Sequence, residues 1–225
     1  MSLQRSLRNG LFPTYCQLCQ TPIKQSGLCH ICHASLPLFS NSEVDLFARP
    51  DIERMFNLPH CDGLSACGWY QGALARWLKQ VKYNNSRVAM KVLRQIITAH
   101  WHCLNLENLI DIDACILVPV AKTRHIFRGY NQVYQTWAPL LKQVNLPIID
   151  VIGKHSAPSQ VTMQKLARKQ SAQQAYFLKR ALTHKRILLI DDVITTGATI
   201  NHISALCKEA GATQIWAFAT CLTET

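Results

Sequence analysis

Two uninterrupted apolar runs limit the possible folds more than any other feature of this chain. ACILVPVA (114–121) and RILLIDDV (186–193) lack the every-second-residue alternation of a strand with one wet face. Runs of this length with β-branched residues belong to strands covered on both sides. The segments around them carry a helical period. ALARWLKQVKY (73–83) and RVAMKVLRQIITAHW (87–101) read as helices, the second with Val88, Val92, Ile96, Ala89, Leu93 and Ile97 on one face. NQVYQTWAPLLKQVN (131–145) places Val133, Trp137, Leu140, Leu141 and Val144 together, and ATINHISALCKEAG (198–211) does so for Ile200, Ile203, Leu206 and Ala210, with Gly211 as its stop. LSACGWY (64–70), LPIIDVI (146–152) and TQIWAFAT (213–220) supply further strands. Strands alternating with helices predict an α/β fold with a parallel sheet flanked by helices.

The N-terminal region follows a different rule. In CQLCQTPIKQSGLCHIC (16–32) two C-x2-C pairs, Cys16 with Cys19 and Cys29 with Cys32, are separated by nine residues. Each pair can turn two thiolates toward one ion, and four thiolates close a tetrahedral structural zinc site. His30 and His33 rank below them, because the two pairs already complete the shell. Such a module is too small to bury a core, so its metal supplies much of its folding free energy. Residues 37–60 mix Pro, Ser, Asn and Asp without period and read as a linker with one short helix. The expected division is therefore a four-cysteine zinc-binding module and linker over 1–60, and one α/β domain over 61–225. Cys67, Cys115 and Cys221 fall in strand patterns and Cys103 and Cys207 in helical ones, so they read as core or near-core thiols.

Charge narrows the partners. The 225 residues carry 24 Lys and Arg against 13 Asp and Glu, a formal +11, which favours a polyanionic partner. Cations gather in three groups: Lys122, Arg124, His125 and Arg128; Lys165, Arg168 and Lys169; and Lys179, Arg180, Lys185 and Arg186. No stretch is apolar enough to span a bilayer and the N-terminus lacks a secretory h-region, so the expected location is cytoplasmic.

ILLIDDVITTGATI (187–200) carries the chemistry. In an open α/β sheet, ligands bind beyond the carboxyl ends of the strands. Asp191 and Asp192 are expected to leave the core there and accept hydrogen bonds from a polyhydroxyl ligand. Thr195, Thr196, Gly197, Ala198 and Thr199 then offer backbone N–H groups and hydroxyls at a helix N-terminus, where an anion is favoured, and Gly197 is expected to let the backbone approach it. Two carboxylates for sugar hydroxyls beside a threonine-glycine nest for a phosphate describe a ribose 5-phosphate pocket. No GxxxxGK[ST] is present, so this is not a nucleotide P-loop.

IDDVITTGAT resembles the phosphoribosyl pyrophosphate (PRPP) motif of type I phosphoribosyltransferases. The four-cysteine knuckle, Lys82 with Tyr83, VPVAKTRHIFRGYNQ (118–132) and the final loop, in this order, resemble the competence protein ComF family, also called ComFC or GntX-like. The resemblance implies a phosphoribosyltransferase-like sheet and Mg2+ bridging the ribose and pyrophosphate of PRPP. It also implies a pyrophosphate-holding loop from Val118 and Pro119 through Lys122 and Arg124, with Arg128 to Gln132 beside it. One departure falls in 155–175, where Gln160 is followed by Arg168, Lys169, Gln170 and Ser171 in place of the family's arginine and asparagine.

The resemblance further implies natural transformation, acting on incoming single-stranded DNA at the cytoplasmic face of the inner membrane, with a competence helicase or recombination proteins as partners. Lys82, Arg128, Tyr130, Lys165, Arg168 and Lys169 are the candidate DNA contacts, Tyr130 by stacking. The alternative is a phosphoribosyltransferase acting on a nucleobase or amine; no catalytic acid or base stands out. A third reading is an adaptor that docks another protein through its zinc module.

Overall fold

The computed structural model describes residues 14–24, 27–105, 111–119, 130–155 and 175–224. Its centre is a four-stranded sheet built from β3 (Gly63–Trp69), β4 (Ala114–Leu117), β7 (Arg186–Ile194) and β8 (Gln214–Leu222), in the order β3-β8-β7-β4. All three pairings are parallel. The apolar runs are buried on both faces because alternate side chains enter different cores. Leu188 and Ile190 of β7 join Cys115, Leu117 and Phe218 on one side, and Ile187 and Leu189 join Ala114, Ile116, Ile215 and Ala217 on the other.

The first face is covered by α3 (Gly72–Asn84), α4 (Arg87–Leu104) and α5 (Gln132–Gln143), whose buried residues share that core. Ser86 starts α4 by accepting from the Ala89 N–H, and Asn85, in left-handed conformation, ends α3. Pro139 lies inside α5 and cannot donate to the Gln135 carbonyl; the Arg94 Nε donates there instead, at 2.8 Å, fastening α5 to α4. Trp137 is fully buried against Phe218, its indole N–H donating to the Thr220 hydroxyl at 3.0 Å. On the second face α6 (Ala198–Glu209) returns the chain from β7 to β8, burying Ile200, Ile203 and Cys207.

Three expectations change. Residues 37–60 are an integral part of the core and not a free tether: Phe39, Leu46, Ile52, Phe56 and Leu58 are buried. Leu38 bridges Gly68, the Phe39 N–H donates to the Cys67 carbonyl, and the Trp69 N–H donates to the Pro37 carbonyl, so this segment covers the open edge of β3. A 3-10 turn (Leu46–Ala48) and α2 (Pro50–Met55) form within it. The expected strand over 146–152 is reduced to one bridge, Ile148 to Cys115, after which β5 (Ile152–Lys154) pairs antiparallel with β6 (Tyr176–Leu178) outside the main sheet. Cys103 is exposed rather than near-core, while Cys67, Cys115, Cys207 and Cys221 are buried as expected.

The knuckle comprises the paired β1 (Thr14–Tyr15) and β2 (Pro22–Ile23) and the short α1 (His30–Ala34). It rests on α4. A side chain at Gly27 would collide with Gln95, and Leu18 and Leu28 pack against the first core.

Candidate sugar-phosphate site and four-cysteine centre

The four knuckle sulfurs converge. Sγ of Cys16, Cys19, Cys29 and Cys32 all lie within 4.8 Å of one another, and Cys19 and Cys29 are 3.7 Å apart. A tetrahedral ion with about 2.3 Å bonds to sulfur requires edges of about 3.8 Å. The donor set therefore fits zinc, without His30 or His33. Burial opposes ionisation of Cys16, but the N–H groups of Cys19, Cys29 and Leu18 bring its thiol down to about 6. Burial and the neighbouring thiols push Cys32 up to about 12. Such crowding is relieved when an ion takes the thiol protons' place.

At the carboxyl end of β7 the carboxylates sit differently from expectation. Asp191 and Asp192 remain within the strand, which continues to Ile194, so they are half-buried and do not swing clear of it. The Asp192 N–H donates to Asp191 Oδ1 at 2.8 Å and the Val193 N–H to Asp192 Oδ1 at 3.0 Å. Burial above all, then the charge of Asp192, push the Asp191 carboxyl well above the usual carboxylate range; Lys154 pulls the other way. No Lys or Arg forms an ion pair with either aspartate among the described residues.

The chain then turns into α6. Thr195, Thr196 and Ala198 are exposed and Thr199 is half-buried. With Asp191, Gly197 and Ile200 they line a cavity of about 50 Å³. At about 30 Å³ per liquid water, that is space for one small polar group and not for a whole sugar phosphate. Any larger ligand would extend out of it over the strand ends. The first N–H groups of α6 have no acceptor within the helix; that of Ala198 donates to the Thr196 hydroxyl at 3.4 Å. Gly197 serves another purpose than expected. Its φ is +74°, and an added Cβ would lie 2.6 Å from Leu58 Cδ2, so the residue fits the loop against the second core. Val118 is likewise core: its side chain is buried and its N–H donates to the Ile190 carbonyl, with Pro119 half-buried next to it.

Three consecutive residues absent from the candidate set, or assigned another role, brace this end of the sheet. The Tyr130 hydroxyl donates to the Val81 carbonyl at 2.5 Å, tying the ring to α3 and making it an anchor before it is a stacking platform. Asn131 caps α5 through the Val133 N–H, and its amide reaches the Val118 carbonyl at 3.4 Å. Gln132 is buried and its Nε2 donates to Asp192 Oδ2 at 3.0 Å. The tripeptide Tyr-Asn-Gln was the signal, but its three targets are distant in sequence. Lys82 is half-buried with its ammonium 5.9 Å from the Tyr83 ring centre. Lys122, Arg124, Arg128, Lys165, Arg168 and Lys169 lie outside the described residues, as does most of 155–175. Of the third cationic group, Lys179 pairs with Asp150, Arg186 with Asp111 and Asp113, and Lys185 donates to the Gly211 carbonyl, so these three cations are structural.

No protein-family model matches the chain. Competence protein F of Haemophilus influenzae is 28% identical over 225 residues, covering 94% of this chain and 91% of that one. Competence protein ComFC of Streptococcus pneumoniae is 32% identical over 105 residues, 46% of each chain. DNA utilization protein YhgH of Escherichia coli K12 is 23% identical over 232 residues, 94% of this chain and 98% of that one. Among solved structures, one described as the allosteric regulatory enzyme of purine biosynthesis overlaps 59% of this chain and 26% of its own at 16% identity, with a TM-score of 0.41, too low to establish a shared fold.

Proposed function

We propose that this chain, a homologue of competence protein F, ComFC and YhgH, handles incoming single-stranded DNA in natural transformation, with a PRPP-type sugar phosphate bound at the end of β7. The observation that carries this reading is the junction itself. The last residues of a central parallel strand carry two carboxylates that no base neutralises among the described residues, close to a threonine-glycine loop at a helix N-terminus. Carboxylates kept ionisable at a partly buried strand end are costly unless a ligand uses them.

In this reading Asp191 and Asp192 accept hydrogen bonds from the ribose hydroxyls, and the N–H groups and hydroxyls of Thr195 to Thr199 hold the 5-phosphate. Gln132 fixes the rotamer of Asp192, and Val118 with Pro119 sets the start of the loop toward Lys122, Arg124 and Arg128, which take the pyrophosphate. Mg2+ supplies neutralisation of the clustered oxygens when bound. The four-cysteine module, with zinc on Cys16, Cys19, Cys29 and Cys32, precedes a phosphoribosyltransferase-like domain over 61–225, into whose core residues 37–60 pack. Metal analysis is expected to give one zinc per chain. No helix among the described residues is long and apolar enough to cross a membrane, in keeping with work at the cytoplasmic side of the inner membrane beside a competence helicase or recombination proteins.

Calorimetric titration with PRPP and Mg2+ tests the pocket. Saturable binding that Asp191→Asn weakens by about 100-fold is expected; no heat from wild type would overturn the reading. Release of pyrophosphate from PRPP in the presence of a nucleobase would make the protein a phosphoribosyltransferase instead of a ligand-binding DNA handler.

A further inference from the structure

Between Asp62 and Glu107 the chain contains no acidic residue, yet it holds Arg76, Lys79, Lys82, Arg87, Lys91 and Arg94. This stretch forms β3, α3 and α4, so the charge asymmetry belongs to one region of the fold. On α3, Arg76, Lys79 and Tyr83 are spaced three and four residues apart and so share one ridge. All three are exposed, the tyrosine at 68%. No ion pair among the described residues involves Arg76 or Lys79. The ridge borders a shallow, open groove of about 500 Å³ along this one helix, lined by Gly72, Ala75, Arg76, Lys79, Gln80, Tyr83 and Asn84. At Gly72 nothing stands within 4 Å of the position a Cβ would take, which leaves that side open.

Tyr70, just past β3, has its phenol held above the ordinary range, first by burial and then by the charges of Tyr83 and Asp192. The Tyr130 hydroxyl, bonded to the Val81 carbonyl of α3, ties the same helix to the segment that braces Asp192.

We propose that this groove on α3 binds single-stranded DNA, with Arg76 and Lys79 on successive phosphates and the Tyr83 ring stacked on an unpaired base. The proposal rests on the DNA-handling reading above and names the surface for it. Cations without local carboxylates supply sequence-tolerant, salt-dependent affinity, and an exposed ring discriminates strands whose bases are unstacked from duplex. Gln80 adds an amide for base edges.

The test uses the full chain with zinc and a 5′-labelled oligo-dT strand, followed by fluorescence anisotropy across a salt series. Arg76→Ala with Lys79→Ala is expected to weaken binding more than about tenfold and to reduce the slope of log affinity against log salt by about 1.4, the value for two phosphate contacts on a single strand. Tyr83→Ala is expected to weaken oligo-dT binding by about tenfold without changing that slope. Lys142→Glu, an exposed cation on α5, should leave binding within about twofold. Calorimetric PRPP affinity should be unaltered in the three α3 substitutions. If wild type binds oligo-dT and the α3 variants bind equally well, the groove assignment fails while DNA handling stands. If Tyr83→Ala weakens a duplex as much as oligo-dT, the surface is a general polyanion site and the single-strand proposal is overturned. If wild type does not bind oligo-dT at all, both the DNA reading and the groove fall.

Discussion

The two ends of the central sheet treat their aspartates in opposite ways. At the amino end Asp113 precedes β4 and accepts from the backbone N–H groups of Lys185 and Arg186 and from the Arg186 guanidinium, while Asp62 precedes β3 and accepts from the Ile215 N–H and the Lys208 ammonium. At the carboxyl end Asp191 and Asp192 receive N–H bonds from their own strand and one amide from Gln132, and no cation among the described residues pairs with them. Paired carboxylates hold neighbouring strands in register. Those at the other end raise the energy of the empty fold and leave lone pairs for a ligand. One sheet thus keeps its cation-paired carboxylates at one end and, at the other, the pair that the proposed function assigns to a ligand.

The sharpest way to break this contrast is to neutralise one acid at each end. Asp191→Asn should lower Mg2+-PRPP affinity by about 100-fold, or about 2.7 kcal/mol, while melting no earlier than wild type, because it removes a half-buried carboxyl whose ionisation the fold resists. Asp113→Ala should do the reverse. Losing one partner of a partly buried, hydrogen-bonded pair costs about 2 kcal/mol, which for a chain of this size lowers Tm by about 4–8 °C, with PRPP affinity unchanged. Calorimetry and thermal melts on both proteins decide it. A large Tm loss in Asp191→Asn would make that aspartate structural and erase the distinction between the ends.

The pH dependence sharpens the comparison at a smaller scale. The folded, empty protein holds the Asp191 proton to a higher pH than an unfolded chain does. The stability penalty of ionising it is therefore absent below the ordinary carboxylate range and grows as pH rises through the raised pKa. Binding of a cation-linked ligand needs the ionised form and releases that proton. PRPP affinity should rise with pH by at most about tenfold per unit over this interval, and Asp191→Asn should flatten the profile. Proton release measured by titration in buffers of different ionisation enthalpy gives the count.

Much of this architecture was legible in the residues. The runs over 114–121 and 186–193 and the helices at 73–83, 87–101, 131–145 and 198–211 repeat with clear period, and burial on both faces leaves such runs few other homes. The spacing of the four knuckle cysteines announced the convergence of their sulfurs. What escaped has a common cause in tertiary contact. Residues 37–58 lack period because they line the edge of β3 one residue at a time, through Leu38, Phe39 and Asp45. Gly197 looked like a gap for a phosphate, but its missing side chain faces Leu58 from a segment 139 positions earlier in the numbering. Asp191 and Asp192 looked free of the strand because two charges within a ladder are unfavourable unless something uses them.

Gln132 offers the smallest and most specific test. Its Nε2 donates to Asp192 while its Oε1 is buried without a partner, so the side chain satisfies the carboxylate at the expense of its own carbonyl. Gln132→Leu removes a favourable hydrogen bond and an unsatisfied acceptor together, two contributions of about 1–2 kcal/mol and opposite sign. Tm should therefore stay within about 3 °C of wild type. Asp192, however, loses the contact that holds its rotamer, and PRPP affinity should fall about three- to fivefold, or about 0.7–1 kcal/mol. If Tm falls steeply and affinity does not change, Gln132 belongs with the stabilising bonds of the amino end. If affinity falls at constant Tm, the division between the two ends reaches one helix beyond the sheet.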